Sequence, residues 1–212
     1  AATWADDIEE FPWSLGWQPL YSDEGREMAK HMLAANSKAK IALIYQNDDA
    51  GKDFARGLKE GLSGAGKQLA LEQSHEVTDP TVDSQVIAAQ ASGADVFVMW
   101  GSPKATAQAI RKAADLGWTP AVYINQNSSS VKHVLTPAGL DKSKGVIAGA
   151  FMKDAADPAW NDDKGMQEWK AFMDKYNAGA AKDSMATYGT SIAQTTVQVL
   201  KQCGDDLSRE NI

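Results

Sequence analysis

Five short apolar runs separated by stretches of helical periodicity constrain this chain more than any other feature of its sequence. IALIY (41–45), LALEQSHEV (69–77), ADVFVMW (94–100), AVYIN (121–125) and GVIAGAF (145–151) have the length and residue types of strands. The first helical pattern opens at Ser22, placed to cap it, and sets Met28, Met32 and Leu33 on one face. Ala50–Leu62 repeats Phe54, Leu58 and Leu62 at every fourth position, Val82–Ala91 follows the Asp79-Pro80 turn, and Pro103–Leu116 stops at Gly117. A short helix is expected at Ser128–Leu135, and helices take over at Ala159–Tyr176 and Met185–Cys203. Runs apolar on both faces suit a parallel sheet covered on both sides. The alternation therefore predicts an α/β fold, an open doubly wound parallel sheet with right-handed crossovers and the order 2-1-3-4-5.

Composition narrows the function classes. With 21 Lys and Arg against 28 Asp and Glu, the chain carries a net charge of -7. Such an acidic balance lacks the footprint that nucleic acid or an anionic membrane requires, so no nucleic-acid partner is expected. A single cysteine, Cys203, leaves no internal disulfide and no multi-cysteine metal site. No apolar run is long enough for a membrane span, so no membrane insertion is expected. The opening AATWADD has no basic or apolar region of a signal peptide. At the close, Ser208 followed by Arg209, Glu210 and Asn211 reads as the cap of a further helix, the pattern of a fragment.

The sheet order locates a site. In open parallel sheets ligands bind beyond the carboxyl ends of the strands, where the strand order reverses, here between strands one and three. The loops there are QNDDAG (46–51), GSPK (101–104) and, beside them, NQNSSS (125–130). Candidate ligand-binding residues are Gln46, Asn47, Asp48, Ala50, Gly101, Ser102, Pro103, Asn125, Gln126 and Asn127. They offer amides, hydroxyls and helix N-terminal N–H groups but no His or Cys, equipment for hydrogen bonding rather than for catalysis. The bland alternative is that these polar loops only cap the helices that follow them.

Other constellations lead nowhere. Gly61-Leu62-Ser63-Gly64-Ala65-Gly66-Lys67 matches seven positions of a phosphate loop, but Gln68 replaces the Ser or Thr, and the segment leaves a helix to enter a strand, the reverse of the required order. Asp48-Asp49, Asp162-Asp163 and Asp205-Asp206 lack the alternate spacing and closing Glu of a calcium loop. His31, His75 and His133 sit on different elements without a nucleophile motif. His31 on an amphipathic helix and His75 in an edge-like strand are expected in surface or half-buried roles rather than as ligands. Trp118, Trp160 and Trp169 are expected to pack helices on the sheet, with Trp13, Trp17 and Trp100 near hinge or strand-end positions. No catalytic residue, metal or cofactor is expected.

Three stretches, KIALIYQNDDAGKDFARGLKEGL (40–62), GADVFVMWGSPKATAQAIRKAADLGW (93–118) and MATYGTSIAQTTVQVLKQCG (185–204), resemble the periplasmic leucine/isoleucine/valine-type substrate-binding proteins of ATP-driven importers. FPWSLGWQPLYSDEGREMAKHML (11–33) is also similar to that family, and the likeness spans the whole chain. The resemblance implies a type I fold of two α/β lobes that close over a small-molecule ligand by hinge motion. It further implies a membrane permease as partner and a periplasmic location. Residues 1–17 would be a hinge-proximal aromatic segment, 18–180 the second lobe, and 181–212 a crossing segment and a helix of the other lobe.

Departures from the family pattern bear on the ligand. Amino-acid binders of the family place a Tyr where Ala50 stands, often an aromatic after the glycine corresponding to Gly101, and an acid where Gln126 stands. An amide pairs with an ammonium group far less well than a carboxylate does. The expected ligand is an apolar or aromatic carboxylate, with a branched-chain amino acid as the alternative. Two further classes stay open: a ligand-sensing lobe of a regulator or receptor, and a flavodoxin-like enzyme. The failed phosphate loop and the missing nucleophile weigh against the enzyme.

Overall fold

A computed structural model describes residues 3–212 of the chain, so the first two residues of the 1–17 segment lie outside the described residues. The chain divides into two compact units, Ala1–Gly149 and Ala150–Ile212. The first contains α1 (Tyr21–Ala35), β1 (Ile41–Gln46), α2 (Asp49–Ser63), β2 (Leu71–His75), α3 (Asp83–Ala91), β3 (Val96–Trp100), α4 (Pro103–Asp115), β4 (Ala121–Ile124), α5 (Thr136–Ala138) and β5 (Ile147–Ala148). Its five strands form an all-parallel sheet in the order β2-β1-β3-β4-β5, the order the alternation predicts.

The sheet is central because its middle strands are apolar on both faces. Successive side chains of a strand point to opposite faces. Leu43, Val98 and Trp100 thus join Met28, Met32, Phe54, Leu58 and Leu62 of α1 and α2 in one buried cluster. Ala42, Ile44, Phe97 and Met99 join Val86 of α3 and Ile110 of α4 in the other. The edge strand β2 alternates between half-buried and exposed positions until His75, which is buried. α1 crosses α2 at a glycine contact. A β-carbon on Gly57 would lie 1.9 Å from the carbonyl oxygen of Ser22, and one on Gly25 would lie 2.5 Å from Leu58 N and from Phe54 O.

Several element ends differ from the sequence pattern, each for a local reason. Ser22 does not cap α1. The helix begins at Tyr21 with Leu20 in the capping position, and Ser22 is buried in the first turn, its backbone against Gly57. The fifth strand, expected at 145–151, has only two residues, because Gly145 (φ +82°) and Gly149 flank it. The helix expected at Ser128–Leu135 is a 3-10 turn at Gln126–Ser128 followed by a wide turn at Val131–Leu135, where Thr136 N–H reaches back to Val131 O. Pro137 has no N–H to give His133, so regular i→i−4 bonding cannot run through this segment. Gly61–Lys67 closes α2, with Gly66 at φ +68° and Lys67 N–H bonded to Leu62 O.

The second unit holds a 3-10 turn (Pro158–Trp160), α6 (Lys164–Tyr176) and α7 (Ser184–Cys203), with no strand among the described residues. Asp163 and Asp183 cap its helices through Met166 N–H and Ala186 N–H. α6 therefore starts five residues later than the predicted Ala159. Trp160 and Trp169 fall in this unit; Trp160 lies under the Lys153 ammonium, 5.0 Å from its ring centre. Trp118, as expected, packs on the sheet, 5.1 Å from Phe97 ring to ring.

Candidate functional site

The order of the sheet reverses between β1 and β3, and the loops that leave their carboxyl ends lie at the same edge as the loop after β4. Gln46 ends β1. Its side-chain amide N–H donates to Asp48, while its Oε1 is buried without a partner. Asp48 caps α2, accepting from Gly51 N–H at 2.8 Å. Gly51 is required there, since a β-carbon would lie 2.0 Å from Gln46 O. Ala50 is half-buried in the first turn of α2 and packs toward the α1–α2 cluster. Asn47 turns to the other side of the loop, where its backbone N–H donates to His75 O and its side chain to Glu76 Oε1 at 2.6 Å.

The β3 and β4 loops are tied directly together. Gly101 O accepts from the buried Ser128 hydroxyl at 2.7 Å, and Gly101 N–H faces Asn125 Oδ1 at 3.4 Å. Ser102 caps α4 through Ala105 N–H, and Pro103 is its first residue, where a missing N–H costs nothing. Asn125 and Ser128 are therefore occupied in holding the loops. Gln126 has a buried side-chain Nε2 without a partner, and exposed Asn127 donates to the Tyr21 hydroxyl at 3.1 Å. Ser128→Ala is expected to cost about 1 kcal/mol, because it deprives a buried carbonyl of its short hydrogen bond. Urea unfolding of the variant against the native chain measures this.

Two residues at this edge escape the sequence pattern. Glu24, in the first turn of α1, accepts from Gln126 N–H at 2.7 Å and from Trp100 Nε1–H at 3.3 Å. Burial pushes its carboxyl up to about 7, and the two hydrogen bonds only partly offset that. Its sequence signal, an acid in a helical first turn, reads as no more than a favourable interaction with the helix dipole. His75, expected at the surface or half-buried, is fully buried, at 3% exposed. Its Nδ1 lies 3.1 Å from Glu76 O and its Nε2 has no partner. No sequence signal marks it, since its position follows from the neighbouring strand and from Gly101.

The site thus presents hydrogen-bonding groups from three loops on a rigid sheet. Among the described residues no group of three or more His, Cys, Asp or Glu is placed to hold a metal ion. No helix among them is long and apolar enough to cross a membrane.

Comparison with known proteins adds a family. A sequence model described as "Periplasmic binding protein" matches residues 2–212. No curated protein matches the sequence. Among solved structures, a fatty acid ABC transporter substrate-binding protein from Thermomonospora curvata is similar, with a TM-score of 0.79 at 20% identity, over 90% of this chain and 49% of that one. A substrate-binding periplasmic protein from Ralstonia solanacearum gives 0.78 at 18% identity, over 90% and 53%. A leucine-binding protein from Thermotoga maritima gives 0.70 at 16% identity, over 90% and 52%. The chain spans about half the length of these structures.

Proposed function

The chain belongs to the periplasmic binding protein family, and from that premise we propose that it serves an ABC importer by capturing a small apolar or aromatic carboxylate in the periplasm. The observation that carries this reading is the character of the edge at the strand-order reversal. Its loops place amide groups with unpartnered buried atoms at Gln46 and Gln126 and no nucleophile beside a base. The family and that equipment support a non-catalytic role, with a membrane permease receiving the solute. Residues 18–180 serve as the second of two lobes, with 1–17 near the hinge and 181–212 as a crossing segment and a helix of the other lobe. The half-length match to solved relatives supports a chain made mostly of one lobe.

The choice of an anion without an ammonium group rests on Gln126 and Ala50, an amide and a methyl where amino-acid binders of the family carry an acid and a Tyr. The relative described as a fatty-acid binder fits an apolar carboxylate. A branched-chain amino acid is the second reading, favoured by the relative described as leucine-binding and by the nearness of Glu24 to Gln126. Both Glu24 oxygens already accept hydrogen bonds, and burial drives the group toward its neutral form, so it is a poor partner for an ammonium ion.

A thermal-shift screen of the full-length protein tests the proposal against benzoates, phenylacetates, medium-chain fatty acids, leucine and valine. A true ligand at a hundred times its Kd stabilises by about 2.7 kcal/mol, which raises Tm by several degrees. Stabilisation by the acids alone is the expected result. Stabilisation by leucine or valine with none by the acids overturns the ligand class.

A further inference from the structure

The unpartnered atoms of the carboxyl edge lie in one row. Gln46 of β1 is the register partner of His75 of β2. Tyr45 pairs with Trp100, so the next step sets Gln46 level with Gly101. Met99 pairs with Ile124, so two steps on Gly101 is level with Gln126. The row across the sheet therefore runs His75, Gln46, Gly101, Gln126, and its one residue without a side chain is Gly101. His75 extends from the edge strand past β1 into the space that this leaves: a β-carbon on Gly101 would lie 2.8 Å from His75 Nε2 and 2.9 Å from Met99 Cε. Gln46 Oε1, His75 Nε2 and Gln126 Nε2 are all buried without a protein partner.

The polarity of each atom follows from what its neighbour atom does. His75 Nδ1 faces the Glu76 carbonyl, which can only accept, so Nδ1–H donates there and, in that tautomer, Nε2 is an acceptor. The Gln46 amide N–H is committed to Asp48, which leaves its oxygen as the free acceptor. The free atom of Gln126 is an N–H donor. The row thus shows two acceptors, one at Gln46 and one that His75 carries to the position above Gly101, and one donor on the β4 side. A buried polar atom left unpaired is destabilising, and three in one row call for an occupant of complementary pattern.

We propose that His75 is a ligand-contacting residue, and that the solute presents a hydroxyl or amide N–H to Gln46 and His75 and an oxygen acceptor to Gln126. The proposal rests on the solute-capture reading and narrows it to carboxylates that bear a second, donating group. Gly101 takes part by lacking a side chain: the space its β-carbon would fill holds the His75 ring and, 2.9 Å from that position, Met99 Cε, which brings His75 Nε2 into the row beside Gln46.

Calorimetry on the full-length protein tests this with matched pairs: 4-hydroxybenzoate against benzoate, 4-hydroxyphenylacetate against phenylacetate, and 2-hydroxy-4-methylpentanoate against 4-methylpentanoate. For at least one pair the hydroxylated acid is expected to bind about tenfold more tightly, because a site built to hydrogen-bond a hydroxyl rejects the analogue that lacks it. His75→Phe keeps a ring and removes the acceptor, and it is expected to abolish that ratio by weakening only the hydroxylated member. A ratio near one in the native protein for every pair, with binding intact, overturns this proposal alone and assigns the row to water. A ratio that survives in His75→Phe removes His75 from the site. Binding of no acid of either kind overturns the solute class as well. Should His75→Phe fail to fold, His75→Asn, whose amide can still donate to Glu76 O but is too short to reach the row, carries the same expectation. A ratio that survives in it removes His75 from the site.

Discussion

Gly57→Ala is expected to destabilise the first unit by about 3 kcal/mol, at the upper end of what overpacking a core costs. Helix propensity alone predicts the opposite sign, since alanine favours a helix interior over glycine by about 1 kcal/mol. Geometry decides the outcome. The added β-carbon would sit 1.9 Å from Ser22 O and 2.5 Å from Ser22 C and Cα, all backbone atoms that no rotamer change can remove. α1 must therefore move off α2, which opens the cluster of Met28, Ala29, Met32, Phe54, Leu58 and Leu62. The control is Gly189→Ala in α7, where a β-carbon meets nothing within 4 Å, and there propensity should prevail and raise stability slightly. Urea unfolding midpoints measure both. A Gly57→Ala midpoint equal to the native one would show that the two helices have room to separate.

The same contact shows why some of the fold was legible in the sequence and some was not. β1 and β3 are recognisable because IALI and VFVMW are apolar at every position, which only a strand covered on both faces demands. Ser22 has the residue type of a cap, but its backbone is needed against Gly57, thirty-five positions away, and no local signal reports that. β5 read as seven residues from its apolar content, whereas its pairing is limited by a glycine on each side. At the candidate site, topology alone brings the loops after β1, β3 and β4 to one edge. His75 could not be read there, because its reach past β1 depends on Gly101 having no side chain. Glu24 is separated from Gln126 by 102 positions, and neither residue carries a pattern that points to the other.

Raising the pH from 5 to 8 is expected to weaken the first unit through Glu24, by up to about 3 kcal/mol at ~1.4 kcal/mol per pH unit. The sign follows from the direction of the shift. Burial lifts the Glu24 carboxyl from 4.5 to about 7, so the folded chain holds this proton over a range in which the unfolded chain has released it. The group's contribution is therefore fully present below about pH 4.5, declines as pH rises through that window, and levels off above about 7. Glu60, Asp115, Asp163 and Asp206 are shifted downward by their hydrogen-bond partners, so they weaken the fold only at lower pH and do not imitate the effect. Glu24→Gln isolates it. The amide oxygen can still accept from Gln126 N–H, but the long Trp100 contact is lost because an amide NH2 cannot accept. The charge is gone, and the variant should lie slightly below the native chain near pH 5 and exceed it near pH 8. Urea unfolding at pH 5, 6, 7 and 8 gives the two profiles, and parallel profiles would mean that Glu24 is solvated and carries its charge in the folded state. If the profiles diverge as expected, the β4 loop that bears Gln126 is fastened to α1 by a carboxyl that ionises near neutrality. Loop order and solute affinity should then fall together as the pH passes 7.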